Sequence, residues 1–103
     1  MSRVEIAGLA SMILSGTLDP VDGVRRMVGL QKYLSEEDRR YPAFQTIVSV
    51  ESETDDFPLS SAREHWEPRS LVELDEQKRA YLQQVEATLF EACRAIVRWS
   101  RDS

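Results

Sequence analysis

The sequence predicts an all-α fold, a small helical bundle of four to five helices with a long C-terminal helix. Apolar residues recur at helical spacing through most of the chain, no pair of strand-like segments is present, and the last third contains no interior glycine or proline. A chain of 103 residues buries one hydrophobic core but is too short for a second. We therefore expect a single all-helical domain over residues 1–103.

The first helix is predicted over residues 3–15, with a clear boundary to the second. Gly16 follows as a residue suited to the left-handed conformation that ends many helices. Asp19 can accept bonds from free backbone N–H groups, and Pro20 needs no donor in a first turn, so the second helix should begin there. The apolar residues of the first helix are Val4, Ile6, Leu9, Ala10, Met12 and Ile13.

The second helix has an apolar stripe, which should face the core, and charged residues, which should face water. Gly23 and Gly29 each disfavour a helix by about 1 kcal/mol relative to alanine. We expect another helix to approach them closely. The stripe is Val21, Val24, Met27, Val28, Leu30 and Leu34, and the charged residues are Asp22, Arg25, Arg26 and Lys32.

Shorter elements follow in the middle of the chain. Ser35 is predicted to cap a helical turn that begins with acidic residues. Residues 43–50 fit both a strand and a helix face, but no second strand-like segment could pair with them. We therefore predict a short helix opened by Pro42. Another short helical piece should begin near Pro58 and end near Trp66.

The last helix is predicted over residues 69–101 and carries the clearest apolar periodicity. At about 1.5 Å per residue it would reach on the order of 45 to 50 Å. A compact domain of this size needs less, so we expect one end to project, kink or pair with another chain. The stripe is Leu71, Leu74, Leu82, Val85, Leu89, Ala92, Cys93, Ile96 and Val97.

Charge and cysteine content narrow the classes of partner and compartment. The net charge of -5 argues against a nucleic-acid partner, because binding a phosphate backbone requires clustered Lys and Arg. Residues 1–67 carry 12 acidic and 7 basic residues, whereas residues 68–103 carry 6 of each.

The single Cys93 permits no internal disulfide, and residues 6–14 are too short to span a bilayer. We expect a cytoplasmic protein without membrane contact.

The most distinctive segment is the acidic turn, residues 52–58, which reads Ser-Glu-Thr-Asp-Asp-Phe-Pro. With the preceding residue it brings four carboxylates together: Glu51, Glu53, Asp55 and Asp56. These carboxylates suit three roles: structural or solvated charge, a partner-binding surface, or a hard-cation site. The spacing matches no EF-hand, and we predict no metal site. Capping of the next helix or turn bonds by Thr54, Asp55 and Asp56 would explain part of the charge.

His65, Trp66 and Cys93 each have a structural and a functional interpretation. His65 is the only histidine, and a neighbouring carboxylate could raise its pKa for acid–base chemistry. The sequence contains no recognised nucleophile or phosphate-binding motif, so a surface histidine beside Trp66 is favoured. Cys93 lies on the apolar face of the last helix and is predicted to be a buried small hydrophobe.

Three arginines, Arg94, Arg98 and Arg101, form a stripe at intervals of four and three near the C-terminus. Cations at this end of a helix complement its dipole, which is the favoured interpretation. The alternative is an anion-binding site, which could receive the acidic turn of the same chain or of a neighbouring copy.

The order of several short motifs resembles a family of short uncharacterised bacterial proteins, over nearly the whole chain. This resemblance implies no established activity or cofactor. Short acidic helical proteins of this kind often act as immunity or regulatory partners, which is an analogy. The motifs are Ile13-Leu14-Ser15-Gly16, Asp19-Pro20-Val21-Asp22-Gly23 with Arg25, Ser52-Glu53-Thr54-Asp55 before Phe57-Pro58 and Trp66, and Ala92-Cys93.

Taken together, these features favour a non-enzymatic protein-binding or regulatory module, immunity-like in kind, that presents the acidic turn to a basic protein. No catalytic residue and no cofactor are predicted. The competing hypothesis is a small metal-dependent or acid/base enzyme using Glu53, Asp55 and His65. A homo-oligomer through the long C-terminal helix is compatible with both. The predicted partner-binding residues are Glu51, Glu53, Asp55, Asp56, His65 and Trp66, and the predicted anion-binding residues are Arg94, Arg98 and Arg101.

Overall fold

A computed structural model describes residues 2–102, without the side chains of Ser2, Ser60 and Ser61. Within this range the chain forms five α-helices and one 3₁₀ helix, and no strand. The all-α prediction, including the long C-terminal helix, is confirmed. The elements are α1 (Ser2–Ser15), α2 (Pro20–Gln31), α3 (Glu36–Arg39), α4 (Pro42–Glu53), the 3₁₀ helix (Ser60–His65) and α5 (Pro68–Arg101).

The helix boundaries follow from the local signals. Gly16 has a φ of 80°, the left-handed conformation that a side chain disfavours. The Asp19 carboxylate accepts bonds from the backbone N–H of Val21 at 2.9 Å and of Asp22 at 3.3 Å. The Ser35 hydroxyl accepts one from the N–H of Asp38 at 3.1 Å. The caps predicted at Gly16, Asp19 and Ser35 are therefore confirmed.

The ambiguous segment of residues 43–50 is helical and forms most of α4. Phe44, Ile47 and Val50, at spacings of three, are buried, whereas Val48 is exposed. A helix places residues with this spacing on one face, so α4 covers the core with a single apolar side.

One hydrophobic core lies between α1, α2, α4 and the C-terminal half of α5. Two of the six apolar residues named for the first helix lie outside this core: Val4 is 68% exposed and Met12 is 41% exposed. Both lie outside the helix face that the buried residues of α1 share, and only that face packs against α2 and α5. The buried residues of α1 are Ile6, Leu9, Ala10 and Ile13.

The two glycines of α2 have different surroundings. Gly23 is buried, and a Cβ there would lie 2.5 Å from Cδ1 and 2.7 Å from Cγ1 of Ile13. The predicted close approach of another helix is therefore confirmed at Gly23, where α1 crosses α2. At Gly29, which is exposed, a Cβ would meet nothing within 4 Å, so the same prediction is wrong there.

The helix α5 is buried only in its C-terminal half. It contains 34 residues, all of them described, and its buried side chains begin at Leu89. Farther toward the N-terminus, Leu71, Leu74 and Leu82 are only half-buried. The molecule measures 46 × 24 × 22 Å, and α5 is long enough to run along most of its longest dimension. The stripe predicted from the sequence is real, but only four of its nine residues are buried in the core.

Two ion pairs attach the N-terminal half of α5 to the rest of the molecule. The guanidinium of Arg63, in the 3₁₀ helix, donates to both carboxylate oxygens of Asp75 at 2.6 and 2.8 Å. The ammonium of Lys78 donates to Asp19 at 2.6 Å, so Asp19 both caps α2 and binds α5. Polar contacts therefore hold this half where apolar burial is incomplete.

An aromatic cluster closes the other end of the bundle. Phe44 and Trp99 meet edge to face with ring centroids 4.9 Å apart, and Tyr41 stacks on Trp99 at 6.5 Å. The guanidinium of Arg3 lies 4.3 Å from the Trp99 ring and 3.1 Å from Asp38. These contacts join the first and last helices to α3 and α4.

None of the helices within residues 2–102 has the length and apolar character needed to cross a membrane.

Candidate functional site

The acidic turn begins where α4 ends, and its first fixed point is Thr54. This residue is completely buried. Its hydroxyl donates to the carbonyl of Val50 at 2.7 Å and to that of Glu51 at 3.2 Å. Thr54 therefore binds two of the last four carbonyl groups of α4, which a helix leaves without partners of its own. The predicted side-chain to backbone bonds of the turn are confirmed for Thr54.

The second fixed point is Phe57, and Arg25 ties both points to α2. Phe57 is buried, and its N–H donates to the carbonyl of Thr54 at 3.1 Å. The Arg25 guanidinium donates to the carbonyls of Thr54 at 2.8 Å and Phe57 at 3.3 Å. The expectation that Arg25 faces water is wrong, because these two carbonyl groups accept its bonds at the half-buried junction of α2 and the turn.

The carboxylates of the turn lie between and beside these fixed points. Asp55 and Asp56 are exposed, Glu53 is exposed, and Glu51 is half-buried. The prediction that this segment caps the next helix is wrong: the N-cap of the 3₁₀ helix is Leu59, with no side-chain cap bond. Because Asp55 and Asp56 lie between two anchored residues, their charge projects from a backbone that is held in place.

Glu53 differs from the two aspartates because it borders α5. Burial raises the pKa of Tyr81 to about 12, and interaction with the Glu53 carboxylate adds to the shift. Both residues line a shallow groove of about 370 Å³ between α4 and α5, together with Val85 and Thr88. Glu53 therefore connects the acidic turn to the side of the long helix.

His65 and Trp66 lie at the end of the 3₁₀ helix, which the Arg63–Asp75 pair holds against α5. The imidazole Nε2 of His65 is 3.4 Å from the carboxylate of Glu64, and both side chains are about three-quarters exposed. Trp66 is 41% exposed. Neither residue makes a hydrogen bond or ion pair to the carboxylates of the turn within the described part of the chain.

The acid–base hypothesis required Glu53, Asp55 and His65 to converge. All three side chains are exposed, and no hydrogen bond or ion pair between described residues joins them. Within residues 2–102, no group of three or more His, Cys, Asp or Glu side chains is close enough together to hold a metal ion. The arrangement that this hypothesis needs is therefore not formed here.

The predicted anion-binding residues, Arg94, Arg98 and Arg101, are all exposed along α5. Arg98 and Arg101 fall in its last turn, where positive charge complements the helix dipole. No ion pair links any of the three to the acidic turn among the residues that the structure describes. The dipole interpretation accounts for two of them, and a contact with another copy stays a prediction.

Cys93 is completely buried in the core, as predicted. Burial raises the pKa of its thiol to about 11, and the nearby Arg94 opposes the shift. The thiolate is the reactive form, so neither access nor ionisation favours chemistry at this position.

We expect Cys93 to react far more slowly with a thiol-specific reagent in the folded chain than in the chain unfolded by urea. Because the folded state raises this pKa above its usual 9.0, the associated stability is present below pH 9.0 and lost as the pH rises toward 11. Urea unfolding across this range should show the decline, and Cys93→Ala should make it shallower. Equal labelling rates in the two states would contradict the burial of this thiol.

Two features of the site had no local signal in the sequence. Arg25 occupies a polar position of an amphipathic helix, which by itself predicts solvent exposure. Its partners, the carbonyls of Thr54 and Phe57, are 29 and 32 residues away. Arg63 likewise binds Asp75 in a different element. Such pairs are determined by how the helices pack together.

Comparison with known proteins adds no relative from which a role could be carried over. No protein-family model, no curated protein and no solved structure matches this chain. The resemblance to short bacterial proteins is therefore supported by its motifs alone, and the function has to be inferred from the geometry of the acidic turn.

Proposed function

We propose that this chain is a non-enzymatic protein-binding module, regulatory or immunity-like in role, whose acidic turn receives a basic partner protein. The observation that supports this proposal is the construction of the turn. Thr54 and Phe57 are buried, and Arg25 binds the carbonyls of both, whereas Asp55 and Asp56 between them are exposed.

A surface held in this way favours binding for two physical reasons. A segment whose backbone is already fixed loses less conformational entropy when a partner orders it. Exposed charges of one sign also speed encounter with an oppositely charged surface and select against partners of like charge. The net charge of residues 1–67 is -5, and Glu51, Glu53, Asp55 and Asp56 are four of its 12 acidic residues, so the negative potential is concentrated at the turn.

Trp66 supplies an apolar element for the same interaction. Aromatic side chains often carry much of the binding energy at protein interfaces, and this one is 41% exposed. The Arg63–Asp75 pair fixes the 3₁₀ helix that precedes it. We therefore assign Trp66 the role of an anchor, with His65 beside it and the carboxylates of the turn as the charged rim.

A lysine-rich peptide is a suitable probe of the charged surface. Changing Glu53→Gln, Asp55→Asn and Asp56→Asn together should weaken its binding by about tenfold at low salt, because three focused charges are lost. Isothermal titration calorimetry at several salt concentrations measures the effect. The matched control changes three exposed acids elsewhere, Glu5→Gln, Glu73→Gln and Glu91→Gln.

The control has the same net charge as the turn variant, so it separates a localised surface from overall acidity. Equal losses in the two triple variants would contradict the proposal. Circular dichroism should show that both remain folded, since the changed side chains are exposed. The parent chain, the control variant and the turn variant then serve as baits in native lysate. The partner is expected to be a basic protein that the parent and the control retain and the turn variant loses.

A further inference from the structure

A second surface lies along the middle of α5 and shares no lining residue with the groove that contains Glu53. There Pro20, at the start of α2, and α5 border a groove of about 390 Å³. Its floor includes the half-buried side chains of Leu82 and Phe90. Leu82 belongs to the half of α5 whose apolar residues the core does not fully cover, since the buried side chains of the helix begin at Leu89.

Four charged side chains of α5 line this groove, and two of them, Asp75 and Lys78, are already paired with Arg63 and Asp19. Arg79 and Glu86 are both exposed, and neither makes a hydrogen bond or ion pair with any described residue. They are seven residues apart, which places them on one face of α5 about 10.5 Å from each other along the axis. Arg79 interacts electrostatically with Asp75, but two guanidinium nitrogens of Arg63 already bind that carboxylate.

The groove has a symmetric layout along α5. The lining residues of this helix run from Asp75 to Phe90, so their midpoint falls between Leu82 and Gln83. Arg79 and Glu86 lie at equal distances on either side of the same point. A two-fold axis through this midpoint would turn α5 into an antiparallel copy, with each Arg79 opposite the other chain's Glu86.

We propose that this groove is the contact face of an antiparallel homodimer, in which α5 of a second copy lies across α5 of the first. The two-fold axis brings the apolar floors together around Leu82 and forms two equivalent Arg79–Glu86 ion pairs between the chains. The charge pattern selects this occupant. Of the four lining charges, Arg79 and Glu86 make no ion pair among the described residues, and they lie at equal distances from a central point, so they are complementary to the same pair of a second copy. The dimer does not depend on the acidic turn.

Charge reversal provides a sharp test. In Arg79→Glu both pairs across the interface become acid against acid, and in Glu86→Arg both become base against base. Each single variant should raise the dimer dissociation constant about tenfold or more, because attraction is replaced by repulsion twice. Sedimentation velocity over a concentration series that reaches the millimolar range measures the constant.

Two combinations should restore association. The double variant Arg79→Glu with Glu86→Arg keeps opposite charges face to face, so it should dimerise like the parent. An equimolar mixture of the two single variants should form heterodimers, because one chain then presents two acids and the other two bases. The matched control is Glu5→Arg, an equal charge reversal at an exposed position of α1, which should leave the constant unchanged.

Several outcomes would overturn the proposal. A parent chain that stays monomeric at millimolar concentration would do so, as would single variants that dimerise like the parent. Failure of the mixed variants to associate would show that the antiparallel register is wrong. All the substituted side chains are exposed, so each variant should keep the helical circular dichroism of the parent.

Discussion

Replacing Phe44 by alanine should lower the free energy of unfolding by about 3–5 kcal/mol. Phe44 is completely buried and lies at the centre of the aromatic cluster, edge to face with Trp99 and 6.1 Å from the ring of Tyr41. Its removal leaves a cavity where α4 meets the end of α5, and the helices can fill it only partly. Urea unfolding followed by circular dichroism measures the loss.

The matched control for Phe44 lies one turn along the same helix. Val48 is 43% exposed, so Val48→Ala removes apolar atoms that already contact water. We expect a change within about 0.5 kcal/mol for this variant. Similar losses in the two variants would show that Phe44 is not a core residue and that the packing of α4 against α5 is incorrectly assigned.

Replacing Gly23 by leucine should destabilise the chain by about 1–3 kcal/mol. A Cβ at this position already lies 2.5 Å from Cδ1 of Ile13, and Ile13 is itself buried. A leucine adds three further carbon atoms at the crossing of α1 and α2, so the two helices must separate or Ile13 must leave its rotamer. Thermal and urea unfolding measure the effect.

Gly29→Leu is the same substitution on the same helix, and we expect the opposite sign. A Cβ at Gly29 meets nothing within 4 Å, so only helix propensity changes, in favour of leucine by up to about 1 kcal/mol. Destabilisation by both variants to the same degree would contradict the close crossing at Gly23. The difference in unfolding free energy between Gly23→Leu and Gly29→Leu therefore separates the effect of a tertiary contact from that of helix propensity.

Much of the fold could be predicted because its signals are local. Gly16, Asp19 and Ser35 act within one turn of their own positions, through backbone conformation or a bond to a nearby N–H group. The same holds for the apolar spacing that defines α5. Interactions over so few residues are fixed by the order of the amino acids, whatever the rest of the chain does.

The candidate site was predicted only in part. The sequence identified the carboxylates of the acidic turn, because charge is a property of single residues. It did not identify Arg25 as the residue that holds the turn, and it assigned Asp55 and Asp56 a capping role that they do not have. Their exposure and the fixed backbone between Thr54 and Phe57 depend on α2 lying beside the end of α4.

The long helix α5 shows which features the sequence determines and which depend on the tertiary structure. The sequence alone determined its existence, its length and its apolar stripe, since helical periodicity and the lack of interior glycine and proline are local properties. Only the tertiary structure decided that Leu89, Ala92, Cys93 and Ile96 are buried while Leu82 borders an open groove beside Arg79 and Glu86. The reason is physical: a stripe fixes which side of a helix is apolar, but the other helices determine how much of it they cover.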